Sequence, residues 1–276
     1  MEIWDGYNRD GTLAGVDIVR GEPIPEGVYF LTVEILVRHV DGDYLLMHRS
    51  PEKPVFRSSS PSNLTAALAV GLCYDPRRMT ESQLLRLGTE AVAFTHGRPE
   101  VYISGAYVAL AMARLLQEPE KAPAVLFAEC LEPVCARFAE TFPAVAEQFA
   151  ASVRKAISLT RDPELTPLAA MTLLQCTTAP EAVAGAVYAV CIHPANFDEA
   201  MIVSVNHSGR SCAVGALTGA FLGARLGDRE LPEFYLESLE AAPYLRELSQ
   251  DLSDCRQVSR IFDDDWDQKY VQGQPV

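Results

Sequence analysis

No stretch of this 276-residue sequence approaches the roughly 20 consecutive apolar residues that a bilayer-spanning helix requires. The opening MEIWDGYNRDG has neither the basic n-region nor the apolar h-region of a signal peptide, so a cytoplasmic protein is expected. Basic residues are scarce, 23 against 37 acidic ones, and the formal net charge of −14 repels phosphate backbones and anionic lipid surfaces. Nucleic acid and membrane are therefore excluded as partners. The seven cysteines, Cys73, Cys130, Cys135, Cys176, Cys191, Cys212 and Cys255, form no CxxC pair. An odd number scattered through apolar sequence predicts reduced, buried thiols rather than a disulfide frame or a zinc site. The patterns GxSxG, HExxH, Walker and GxGxxG are all missing, which removes the commonest hydrolase, metalloprotease and nucleotide-binding signatures.

What the sequence does have is two parts with different periods. At period two, Tyr29, Leu31, Val33, Ile35 and Val37 share one face of YFLTVEILVRHV, and the turn Asp41-Gly42-Asp43 leads into YLLMHRS, which predicts a hairpin. Upstream, NRDGTLAG predicts a turn between two short strands and GEPIPEG a loop. From Thr80 the period becomes helical. TESQ at 80–83 has the capping-box pattern, Leu84, Leu87, Ala91 and Phe94 follow at helical spacing, and Gly97 stands where a C-terminal cap belongs. Pro99 suits the first turn of a helix running to Gln117. Further helices are expected at 121–131, 134–158 with a break at Pro143, 164–176, 179–192, 196–205, 211–226, 231–240 and 242–252. The expected fold class is mainly α with a small N-terminal β-hairpin or meander segment: β segment 1–57, helical domain 58–255 and acidic tail 256–276. Gly215, Gly219, Gly223 and Gly227 recur every four residues beside Ala216, Ala220 and Ala224, a stripe on which a neighbouring helix can pack closely, while Arg225 excludes a membrane role for it.

The stretches SSSPSNLTAALAVGLCYDP (58–76), AVAFTHGRPEVYISGAYVALAMARLL (91–116) and FDEAMIVSVNHSGRSCAVGALTGAFLGARLG (197–227) resemble the ADP-ribosylglycohydrolase family over residues 58–252. That resemblance implies an all-α orthogonal helical bundle with a two-magnesium centre that cleaves ADP-ribose from its attachment. It also implies that the loop after Asn206-His207-Ser208-Gly209 supplies two aspartates and a hydroxyl residue to the metals, where this chain has Arg210, Cys212 and either Ala213 or Val214. The family's remaining ligands, a Thr-Asp-Asp-Thr motif and an early Gly-Asp motif, belong to an N-terminal helical region whose place is taken here by the β segment. Magnesium demands hard oxygen ligands in a near-octahedral shell, a guanidinium repels it and a thiol is the wrong donor, so the expected cofactor is none. The family's diphosphate cradle corresponds to Ser62 and Asn63, where Pro61 and Leu64 replace glycines, and either residue also suits a plain N-cap. The first 56 residues resemble the opening of Nudix hydrolases in EIWDGYNRDGTLAG, RGEPIPEGVYFLTVEI and GDYLLMHRSPEKPVF, but the catalytic box REUxEExGU is absent.

Single residues carry the rest. His96 in FTHG is either a pocket group or a helix C-terminal cap, where the dipole favours the imidazolium. His207 is either a pocket residue or structural, and His39, His48 and His193 are ordinary strand or turn residues. Cys212, near Arg210 and His207, is either a thiol of lowered pKa or a small core residue of the Gly/Ala helix. Arg210, a permanent cation where the family places metal, either meets a phosphate or carboxylate directly or pairs with an acidic neighbour. The expectation is a binding protein on a hydrolase frame. Its ligand is ADP-ribose-like or nucleotide-like, or its partner is a protein, with a homodimer as one way to cover the apolar surface a shortened domain exposes. The rival is a hydrolase of an ADP-ribosyl or related glycosidic substrate with a metal-free or remodelled site.

Overall fold

The structure, a computed structural model, describes residues 3–8, 12–19, 25, 27–28, 37–38, 44–45, 60–227, 230–237, 239 and 242–253. It divides into two compact units, Met1–His48 and Arg49–Val276. Cys255 and the acidic tail 256–276 lie outside the described residues, as do Ser58, Ser59, His39, His48 and most of the apolar strand from Tyr29.

In the first unit, β1 (Ile3–Tyr7) pairs antiparallel with β2 (Leu13–Val19), with Ile3 opposite Val19 and Tyr7 opposite Leu13. The turn between them is the one NRDGTLAG predicts. Asn8 closes it by donating its backbone N–H to the Thr12 carbonyl at 2.7 Å and its side-chain amide to Thr12 Oγ1 at 3.0 Å. Within GEPIPEG, Val28 N–H reaches the Pro25 carbonyl and Gly27 takes φ +78°, a turn conformation glycine adopts without strain. Of the second hairpin, β3 (Val37–Arg38) and β4 (Tyr44–Leu45) pair antiparallel across the Asp-Gly turn region.

The second unit is helical throughout its described length. Its elements are α1 (Leu64–Leu72), α2 (Glu81–Ala93), α3 (Pro99–Gln117), α4 (Pro123–Glu129), α5 (Leu131–Phe138), α6 (Pro143–Leu159), α7 (Pro167–Leu174), α8 (Ala179–Ile192), α9 (Phe197–Val205), α10 (Ser211–Leu226), α11 (Phe234–Glu237) and α12 (Ala242–Ser253). Boundaries follow local chemistry. Thr80 and Gln83 form the full capping box at α2, Thr178 and Glu181 form another at α8, and prolines occupy the first turn of α3, α4, α6, α7 and α8. The break expected at Pro143 is the start of α6. The helix expected over 231–240 is the short α11.

At the centre α3 is buried along nearly its whole length and packs against α1, α2, α8 and α10. Tyr107 is enclosed with its hydroxyl donating to the Phe127 carbonyl at 2.9 Å and its ring edge-on to Phe149. The face that α2 buries differs from the one its periodicity suggests. Leu84, Leu85, Gly88 and Val92 point inward, whereas Phe94 is 64 % exposed. The centre of that face is a glycine, which a count of apolar side chains passes over. A Cβ on Gly88 would lie 2.8 Å from the Gly105 carbonyl oxygen and one on Gly105 would lie 2.6 Å from that of Gly88, so the two backbones meet directly.

The small-residue stripe of α10 serves the same purpose over part of its length. Gly215 and Gly219 face Met201, Val205 and Phe197 of α9, Gly223 faces open space, and Gly227 ends the helix at φ +78°. Arg225 anchors the far end of α10 by donating to the carbonyls of Pro194 at 3.2 Å and Lys121 at 2.6 Å. Thr218, fully buried on α10, is the one described side chain whose buried hydroxyl has no hydrogen-bond partner. An unpaired buried hydroxyl is destabilising, so Thr218→Val, of nearly the same shape, should raise stability by about 1 kcal/mol in urea unfolding. A loss of stability would show that the hydroxyl has a partner such as a buried water.

Candidate functional site

Two clusters contain every candidate residue. The first sits where α1 begins and α2 ends. Asn63 occupies the N-cap position of α1, yet its side chain makes no cap bond and instead donates to the Ala91 carbonyl on α2 at 3.2 Å. It ties the two helices together, which neither a cap nor a ligand group requires. Ser62, exposed just before it, has its Oγ 3.3 Å from His96 Nε2 and accepts from Ser60 Oγ at 3.1 Å. On the other side of the ring, Thr95 Oγ1 lies 2.8 Å from His96 Nδ1 and 3.5 Å from the Val92 carbonyl.

His96 does not cap α2 with an exposed imidazolium. The helix closes at Phe94, the backbone N–H groups of both Thr95 and His96 turn back to the Val92 carbonyl, and the His96 side chain is 1 % exposed. Burial therefore decides its chemistry and lowers its pKa below the usual 6.5, opposite to the effect of a helix C-terminus. Because the folded pKa is depressed, the unfolded chain binds more protons in acid. Stability should be full above about pH 6.5 and decline as the pH falls through that value toward the folded pKa. Urea unfolding across this range should show a slope that His96→Gln flattens; an equal slope in the variant would assign it to other groups.

The second cluster is the loop between α9 and the start of α10. Three of its residues hold it. The Asn206 amide donates to the Ile202 carbonyl at 2.8 Å, His207 Nε2 donates to the Ser204 carbonyl at 2.9 Å, and His207 Nδ1 accepts the Gly209 N–H at 3.0 Å. Both ring nitrogens of His207 are thus bonded locally, one to the last turn of α9 and one within the loop. Gly209 packs onto the turn after α7, where an added Cβ would lie 2.5 Å from the Gln175 carbonyl oxygen and 2.7 Å from that of Cys176, and Arg210 N–H donates to Cys176 O at 2.7 Å.

That supporting turn is strained. Cys176 N–H reaches back two residues to the Leu174 carbonyl at 2.7 Å, and Gln175 and Cys176 are the two described non-glycine residues with positive φ, +61° and +56°. A tight turn of this hand is rare for side-chain-bearing residues and persists only where the surroundings over-determine it. Cys176 is fully buried, and burial pushes its thiol pKa up to about 12, so it is an inert support. No sequence signal marks this turn, because positive φ in Gln and Cys follows no composition rule.

What the anchored loop displays is Ser208, Arg210 and Cys212, all exposed. Cys212 and Cys73 thus depart from the expectation of buried thiols. Cys212 lies in the first turn of α10 on its outward side, while Val214, two residues on, is fully buried. Among the described residues Arg210 forms no ion pair and no side-chain hydrogen bond, and no three His, Cys, Asp or Glu side chains gather as metal ligands. The described residues also contain no helix long and apolar enough to cross a membrane. The two clusters belong to helices that touch, since α1 packs against α10.

Compared with known proteins, residues 32–261 match the family model described as ADP-ribosylglycohydrolase. The match begins within the segment that resembles a Nudix opening. No curated protein matches the chain significantly.

Proposed function

Since the chain belongs to the ADP-ribosylglycohydrolase family, we propose that it binds an ADP-ribose-like or other nucleotide-like ligand without magnesium-dependent hydrolysis. The observation that carries this reading is Arg210, a cation without an acidic partner among the described residues, held at the N-terminus of α10 by a loop whose other groups are spent on anchoring it. A guanidinium, an exposed thiol and either Ala213 or Val214 do not make a magnesium shell. They do leave a fixed positive charge at a helix start, where the dipole adds to the attraction for phosphate. Ser62 and His96 supply a second, uncharged hydrogen-bonding group on the neighbouring helix. Residues 1–56, whose second part overlaps the family match from residue 32, are read as the remnant of a Nudix-like opening that contributes no catalytic group.

Calorimetric titration of ADP-ribose with and without magnesium tests the proposal. Binding should be unaffected by the metal, and Arg210→Ala should weaken it by about 10- to 100-fold, the range expected for a lost charge-assisted contact. Binding that requires magnesium, or an Arg210→Ala protein with undiminished affinity, would overturn it. The net charge of −14 supports a small anion held at local positive points over a nucleic acid held along a surface.

A further inference from the structure

Helix α9 carries its exposed residues in an order that complements itself when reversed. Asp198 and Glu199 make its first turn acidic, Ile202 and Val205 follow, and Arg210 stands just beyond its last turn. Asp198 accepts from the Tyr235 hydroxyl at 2.7 Å, which leaves Glu199 as the exposed acidic group. Glu199, Ile202 and Asn206, three and four residues apart, share one side of the helix with Val205 beside them. Ile202 and Val205 are 45 % and 42 % exposed, although they are aliphatics of the kind α9 buries at Val203. Helix α7, which packs against α9, has no charged residue and exposes Leu168 and Leu173. Four aliphatics thus lie open to solvent with an acid at one end of α9 and a cation at the other.

Two copies with a net charge of −14 each repel one another over most of their surface, so self-contact requires a place where charge is absent or alternates. We propose that this face pairs with the same face of a second copy, α9 against α9 in antiparallel order about a two-fold axis between Ile202 and Val205. In that register Ile202 meets the partner's Val205, and Glu199 falls opposite the partner's Ser208, two residues from the partner's Arg210. The two-fold axis repeats each contact. Parallel order sets Glu199 against Glu199 and Arg210 against Arg210. The exposed ion pairs therefore choose the orientation, while the aliphatic contact supplies the affinity. Helix α9 has nine residues and a length of about 14 Å, so the contact is smaller than the roughly 800 Å² per partner of a standard interface. The dimer accordingly dissociates in the micromolar range. One consequence rests on the ligand-binding reading above: the partner's Glu199 occupies the cation that a phosphate would use, so ADP-ribose and the second copy exclude one another.

Sedimentation velocity of the full chain from about 1 to 100 μM, at low ionic strength where exposed pairs are least screened, is the test. The expected result is a mass that rises from one chain toward two. Glu199→Arg and Arg210→Glu each bring like charges together and should leave a monomer throughout. The double variant, with the net charge unchanged, restores opposite pairing and should restore the dimer. Both residues are exposed, so the variants keep the fold, which circular dichroism verifies. A monomer at every concentration overturns the proposal, as does a dimer that persists in either single variant or fails to return in the double one. Saturating ADP-ribose should return the unaltered protein to monomer; ADP-ribose that binds and leaves the dimer intact overturns the shared use of Arg210. Where calorimetry shows no ADP-ribose binding, the ligand-binding reading fails and the charge swap still decides the dimer.

Discussion

Gly105→Val should destabilise the helical domain by about 3 kcal/mol or more, a large part of the 5–15 kcal/mol by which domains are usually stable. A side chain at this position meets the Gly88 carbonyl oxygen at 2.6 Å and both Val92 methyls, at 2.6 and 2.9 Å. The methyls belong to a core residue with no solvent to move into, and the carbonyl belongs to the α2 backbone, so α2 and α3 would have to separate. Separation would also release Leu84, Leu85 and the Arg114 to Glu81 ion pair, whose contacts depend on the same crossing. Urea denaturation gives the measurement. A change below about 1 kcal/mol would mean that the helices slide at little expense and that the glycine contact does not define the packing.

Gly209→Ala should have the next largest effect, and on binding more than on folding. Its Cβ would press on two carbonyl oxygens, those of Gln175 and Cys176, that belong to backbone already held at positive φ. The turn cannot yield without further strain, so the loop moves instead. Its hold on the Arg210 backbone at Cys176 O and on His207 Nδ1 is then lost. The expected outcome is a stability loss of about 1–3 kcal/mol together with a fall in ADP-ribose affinity at least as large as that of Arg210→Ala, because Ser208 and Arg210 both leave their places. Full affinity in Gly209→Ala would show that Arg210 does not need the anchored loop. Arg210→Ala combined with Gly209→Ala should add little to either alone, since both act through one displayed charge.

Much of the helical architecture was legible in the sequence, since it rests on short-range chemistry. Thr80 and Gln83, Pro99 and Pro143 fixed helix ends through hydrogen bonds and ring geometry within one turn of chain. The absence of carboxylates at Arg210 and Cys212 was equally plain, because a ligand set is a matter of residue type. Membership of the ADP-ribosylglycohydrolase family shows in the Asn-His-x-Gly loop and the Gly/Ala helix for the same reason.

What the tertiary structure decided are the properties set by residues far apart in the chain. Burial by the surrounding helices turned His96 from a helix-end cation into a depressed-pKa group between Ser62 and Thr95, 34 and 1 residues away. The buried face of α2 shifted from Phe94 to Gly88 because a glycine on α3 came opposite it. The strained turn at Gln175 and Cys176, invisible to any propensity, proved to be what holds the 206–210 loop. Types and local spacings are written in the sequence, whereas environment, and with it proton affinity and strain, exists only once distant segments exclude water from one another.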